Sequence, residues 1–177
     1  VGKDYDWFRK GNGRHIQSLN LGYRFNDNWS LSADINHNDF QGYKGFQNGY
    51  KYFSENNDGK RGYDWQPKDQ LTVNGTIRYS KNNTNFFYKL NFLTEEINYY
   101  NPLVTDLPLG GGNRTYTAND KDYHTNRWIH QFNIQTKLGR IHYNGDFSYQ
   151  SQERKSQIYT YDVPNRKEIS RDPEITF

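Results

Sequence analysis

The stretch LNLGYRFNDNWSLSADINHNDF, residues 19–40, decides the fold. Leu19, Leu21, Tyr23 and Phe25 alternate with Asn20, Gly22 and Arg24, in a run that begins near Arg14. After Asn26-Asp27-Asn28, Trp29, Leu31, Ala33 and Ile35 alternate with Ser30, Ser32, Asp34 and Asn36. Strict period two is the mark of a strand with one apolar face, and the Asn-Asp-Asn triplet is turn chemistry. A three-residue loop places Phe25 opposite Trp29, Tyr23 opposite Leu31, Leu21 opposite Ala33 and Leu19 opposite Ile35. Every apolar residue then meets an apolar partner on one face, and a one-residue slip would destroy the match.

Two further hairpins follow the same logic. Leu71, Val73, Gly75, Ile77 and Tyr79 lead into Lys81-Asn82-Asn83-Thr84, and Phe86, Tyr88, Leu90 and Phe92 return. The expected pairs are Tyr79/Phe86, Ile77/Tyr88, Gly75/Leu90 and Val73/Phe92. Trp128, His130, Phe132, Ile134, Thr136 and Leu138 lead into Gly139-Arg140, which suits a two-residue type II′ turn. Ile141, Tyr143, Gly145, Phe147 and Tyr149 return, with Phe132 opposite Phe147 and Leu138 opposite Ile141. The hairpins span about residues 14–38, 71–95 and 127–152. Long Gly-, Asn- and Tyr-rich loops are expected over about 39–70, 96–126 and 153–177, with the last strand running on through Ile158, Tyr159 and Tyr161. No composition break divides the chain, so one unit over 1–177 is expected.

Composition narrows the class. The 177 residues have 32% hydrophobic content and a mean hydropathy of −1.21. Such values suit disordered chains, but 16 Tyr, 11 Phe and 4 Trp do not. No apolar run approaches the ~18 residues of a membrane helix, whereas the dyad pattern of a membrane barrel escapes hydropathy averaging. Cys is absent, which excludes disulfides and thiolate metal sites. Met is absent and no basic-then-apolar leader opens the sequence, so a mature chain or an internal piece is expected. A net charge of +3, dispersed along the chain, gives no case for nucleic acid.

The stripes match the ~9–11 residues of a membrane strand. The opposite faces carry Ser, Asn, Thr, Asp, Gln and Arg. Short turns fall at one rim and long loops at the other, as in outer-membrane barrels. Phe25, Trp29, Tyr79, Phe86 and Tyr143 fall near the short-turn rim, and Trp128, Tyr149 and Phe40 near the other, as an interfacial aromatic girdle would. A soluble antiparallel sheet with one wet face also explains alternation. It explains the loop asymmetry less well and finds little apolar material for a second layer. The expected fold is therefore all-β: an antiparallel transmembrane β-barrel segment of about six strands in three hairpins. Six strands fall short of the about eight of the smallest barrels, so the segment is expected to belong to a larger one.

The stretches 19–40 and 62–101 (GYDWQPKDQLTVNGTIRYSKNNTNFFYKLNFLTEEINYYN) resemble barrel strands of TonB-dependent outer-membrane receptors, in the Asn- and Tyr-rich style of the Bacteroidetes. The plug domain and energy-coupling box of such receptors have no counterpart in the sequence. The resemblance implies a ~22-stranded plugged barrel in the bacterial outer membrane that takes up scarce nutrients. Implied partners are outer-membrane lipid, the rest of the barrel and its plug, an energy-coupling TonB-type protein acting through the plug, and a small nutrient, chelate or glycan substrate. A surface lipoprotein is compatible as well. No enzyme activity and no cofactor are implied. The alternatives are a soluble or surface-attached module binding glycans through Tyr-rich loops, and another outer-membrane barrel such as a porin.

Candidate residues follow. Arg24, Asp34, Arg78, Lys89, Lys137 and Asp146, with Glu95 and Gln150, have the polar parity expected to face the lumen or plug. Loop aromatics offer platforms for sugars or flat ligands: Tyr43, Tyr50, Tyr52, Trp65, Tyr99 and Tyr100 are the chosen substrate candidates, among Phe40, Phe46, Phe53, Tyr63, Tyr116 and Tyr123. They serve equally to order large loops. His15, His37 and His130 share the apolar-face parity, and His142 the polar one. No His set has zinc spacing. Asp58-Gly59 and Asn119–Asp122 read as turns, Gly110–Gly112 reads as a flexible loop, and no nucleophile elbow or phosphate loop is present.

Overall fold

The computed structural model describes residues 13–44 and 57–177. Eleven strands occur among them, and no helix. They are β1 (Arg14–Arg24), β2 (Trp29–Phe40), β3 (Tyr43–Lys44), β4 (Tyr63–Trp65), β5 (Lys68–Lys81), β6 (Thr84–Tyr99), β7 (Thr105–Gly110), β8 (Asn113–Leu138), β9 (Ile141–Asp162), β10 (Lys167–Arg171) and β11 (Ile175–Thr176). One antiparallel meander, β1-β2-β5-β6-β8-β9-β10, carries most of the chain. Strands β7 and β11 pair with β8 and β9, and β3 with β4.

All three hairpins have the register read from the sequence. Leu19 faces Ile35, Leu21 faces Ala33 and Tyr23 faces Leu31. Tyr79 faces Phe86 and Val73 faces Phe92. Phe132 faces Phe147 and Leu138 faces Ile141. The turns comply as well. Asn26 Oδ1 accepts from the amides of Asn28 and Trp29, Asn82 takes a left-handed conformation (φ 51°), and Gly139 has φ 62°. Asn and Gly are the residues that tolerate this region.

Between the hairpins the structure departs from the expected loops. Residues 96–126 are mostly strand. β6 continues to Tyr99, β8 begins at Asn113, and β7 folds back on β8 through Gly110–Gly112. That triplet is a tight turn with three positive φ values (85°, 58° and 81°), not a flexible loop. Asn119–Asp122 is mid-strand, paired to Gln157–Thr160, rather than a turn. Local composition favoured a turn, but β9 pairs with the segment residue for residue and draws it into the ladder. In 153–177, β9 runs on through Ile158, Tyr159 and Tyr161 as expected, and β10 and β11 return along it. Asp58-Gly59 does turn: Asn57 Oδ1 and Asp58 Oδ1 accept from the amides of Gly59 and Lys60.

Among the described residues the buried apolar core is small. Val104, Ala118 and Val163 form it, beside a buried Tyr159, all in the extension beyond the hairpins. The six-strand body has none. Most of its apolar residues share one uncovered face, with Leu21 at 59% exposure, Ile35 at 40%, Ile134 at 37% and Phe147 at 65%; Ile16, Phe87, Leu93 and Ile129 lie on the other. Two stretches of sheet edge find no described strand: the outer side of β1 and the outer side of β9 over 141–153.

Candidate functional site

Continuous pairing from β1 to β9 turns the ladder into rows across the sheet. On one face the rows are apolar. One runs Tyr23, Leu31, Ile77, Tyr88, Phe132, Phe147, and the row below it Phe25, Trp29, Tyr79, Phe86, Ile134, Gly145. At the short-turn side Trp29, Tyr79 and Phe86 pack together with centroids 4.8–5.3 Å apart. Toward the loops, Phe92 and Trp128 meet at 4.3 Å with their planes tilted by 37°, and the Tyr88 hydroxyl and His130 Nδ1 share a hydrogen bond at 2.7 Å. Above the band the same face carries a row of charge: His15, Asp39, Asp69, Glu96, His124 and Lys155. His37 reaches Asp69 at 3.0 Å and His124 reaches Glu96 at 3.5 Å. No single strand displays this row; register alone assembles it.

The other face is polar. Arg24, Arg78 and Asp146 share a row, with Lys89 one step toward the loops and Asp34 two. Lys137 lies at the short-turn rim beside His142. Asp34 accepts from Asn74 at 2.8 Å and Asn74 from Asn91 at 2.6 Å, an amide ladder across three strands. Asp146 accepts from Asn133 at 2.6 Å. The carboxylates are thus hydrogen-bonded, whereas Arg24, Arg78, Lys89 and Lys137 form no ion pair with a described carboxylate.

The expected loop aromatics divide. Tyr50 and Tyr52, with Phe46 and Phe53, lie outside the described residues. Tyr100 belongs to a structural cluster: its ring stacks on Tyr63 at 5.4 Å, and Lys60 lies 4.9 Å above it. Burial first, then the charges of Tyr63, Asp122 and Asp120, push its hydroxyl up to about 12. Beside it Arg61 is almost wholly buried (1%). Its guanidinium grips Asp120 with both terminal nitrogens, donates to Asp58 at 3.0 Å and caps the Asn101 carbonyl at 2.7 Å. Burial alone would lower its pKa; the hydrogen bonds and charges of Asp120 and Asp58 outweigh that and hold it protonated. Sequence pattern gave no sign of this cluster, because its members are 59 residues apart.

Of the remaining candidates Trp65 borders a cavity, and Tyr43 lies beside Trp65 without lining it. Their rings lie 6.4 Å apart, and Trp65 lies 6.5 Å from Phe40. Phe40 needs a correction. It pairs with Arg14 and Lys68 on the polar face, opposite in parity to Ile35, so it is no part of an aromatic girdle on the apolar face. Phe40, Trp65, Arg14, Asn38, Gln66, Lys68 and Ile97 line a cavity of about 410 Å³ at the loop end of the polar face. Tyr99 and Tyr123 follow on the same face. Arg14, Lys68 and Ile97 went unnoticed in the sequence because only cross-strand register sets them beside Phe40. No protein-family model, curated protein or solved structure matches this chain.

Proposed function

We propose that the chain is a wall segment of an outer-membrane β-barrel, and that its function is nutrient uptake as part of a TonB-dependent receptor. The observation that carries this reading is the long meander with one uncovered apolar face and one polar face. In water that face would expose a contiguous apolar surface far beyond what single-layer sheets leave open. In lipid it is the solvent contact that barrels require. The band covers seven residues from Leu19 to Phe25 and eleven in β8 from Trp128 to Leu138. At ~3.3 Å per residue and ~40° tilt these span about 18 and 28 Å, on either side of the ~25 Å height of an outer-membrane barrel. The charged row from His15 to Lys155 marks the outer boundary.

Three features support a closed, larger barrel. Each hairpin turn lies about two residues further along the ladder than its predecessor, always in the same direction. Such uniform stagger is the shear a barrel needs to close. The free edges of β1 and β9 need partners, since lipid satisfies no backbone group. The unpaired Arg24, Arg78, Lys89 and Lys137 on the polar face suit contact with a plug carrying acidic groups. β8, at 26 residues, is roughly 85 Å long, so its loop-side half projects beyond any bilayer and supports the outer loops.

Because the chain has no Cys, a single-Cys scan along β5 tests the reading cleanly. In outer membranes, Cys at Thr72, Asn74 and Thr76 reacts with a polar maleimide, while Cys at Val73, Gly75 and Ile77 does not. Equal labelling of both sets, or a chain recovered from the aqueous phase without detergent, overturns the membrane assignment. Uptake by cells deleted for the coupling protein separates an energised receptor from a passive porin.

A further inference from the structure

We propose that the cavity between Phe40, Trp65 and Ile97 binds a planar apolar anion, an aromatic carboxylate, with its ring against Trp65 and its carboxylate at Arg14. That this cavity lies on a substrate path rests on the barrel reading above; the ligand class does not.

The walls ask for a flat apolar body. Phe40 and Trp65 meet at 6.5 Å and 55°, Ile97 adds an aliphatic side, and Trp65 is left 69% exposed. A volume of about 410 Å³ suits a two-ring molecule.

The free polar groups ask for negative charge. Both polar atoms of Gln66 are spent on the Tyr100 backbone, at 3.2 and 3.0 Å. Asn38 accepts from Arg14 Nε at 2.7 Å and donates to Gln70 at 3.4 Å. Lys68 is paired with Glu95 at 3.3 Å. What remains is the terminal edge of the Arg14 guanidinium, which no described carboxylate meets. The lining therefore offers positive charge and no carboxylate, and its two side-chain amide oxygens are already engaged. The hydroxyl hydrogens of a neutral sugar would have to share those oxygens, which costs affinity. A carboxylate takes two parallel hydrogen bonds from an arginine edge. The surrounding face agrees. Lys121 and Arg154 lie further along it, Arg154 over the Tyr123 ring at 4.5 Å, so the approach is positive and draws anions in.

Calorimetry on the detergent-purified protein tests this with two isosteric probes, 2-naphthoate and neutral 2-naphthamide. Naphthoate binds, and naphthamide binds at least about tenfold more weakly, the value of one charge-assisted hydrogen bond. Arg14→Gln abolishes that preference, Trp65→Ala weakens both probes, and Arg140→Gln at the short-turn rim changes neither. Equal affinity for the two probes, no naphthoate binding, an unaltered preference in Arg14→Gln, or tighter binding of glucuronate overturns the proposal. Sedimentation with outer membranes is read on the same samples. A membrane-embedded chain that ignores naphthoate sinks this inference alone, and a chain that stays in water sinks the barrel reading alone.

Discussion

Arg61 shows how one residue can organise a region that sequence periodicity leaves blank. Its guanidinium meets two carboxylates and a carbonyl in a site closed to solvent. Removing it strands Asp58 and Asp120 without a counter-charge. Arg61→Ala should therefore cost about 3–5 kcal/mol within the extension. Hydrogen exchange then rises at 115–120, while the band residues 71–80 keep their protection; loss of protection in both would mean that the extension and body fold as one. Tyr100 supplies a pH signature for the same region. Its folded pKa of about 12 is raised above the ordinary tyrosine value. The folded state thus keeps a proton that the unfolded state releases, and stability falls as pH rises from about 10 through about 12. Tyr63, Tyr159 and Tyr161 are raised as well, burial being the first cause for each. Phenolate absorbance should show these groups ionising after the exposed tyrosines, with exchange at 115–120 accelerating over that window. Tyr100→Phe should lessen the alkaline loss; an unchanged profile would place the burden on the other three.

At the scale of the element, hairpins were legible because turn and pattern constrain each other. Asn26–Asn28, Asn82-Asn83 and Gly139-Arg140 each fixed a register that the apolar alternation independently required. The extension was not legible, because β7 and β10 are too short to show a period and the loop half of β8 carries few apolar residues. Residues such as Asn119–Asp122 carry turn composition, and they are strand only because β9 stands beside them. The two faces of β5 give an element-level prediction. Ile77→Lys, on the apolar face at mid-band, should destabilise the protein in lipid vesicles by about 2–4 kcal/mol, whereas Thr76→Lys on the opposite face should be nearly neutral. Comparable costs for both would argue that the two faces share one solvent.

For the whole molecule the decisive quantities are stagger and edge. A steady offset of about two residues per hairpin is the stagger that the proposed closure into a barrel requires. The prediction at this scale concerns β1. If its outer edge pairs with a further strand in the membrane, the outward amides of Arg14–Arg24 exchange as slowly as those of Lys68–Lys81. Fast exchange at alternate β1 amides would leave the edge open and rule out closure on that side.

The sequence by itself determined the all-β class, three hairpins with their registers, and which residues share a face, because period-two alternation and turn chemistry are local. It also set the chemistry available, excluding thiolates and offering aromatics and cations. Only the tertiary structure decided which strand follows which, the charged row from His15 to Lys155, the Arg61 cluster and the cavity joining Arg14, Phe40 and Trp65. Each of these depends on pairing between residues far apart in the chain. Such pairing is chosen by the sum of many weak cross-strand contacts, and no short stretch of sequence contains that sum.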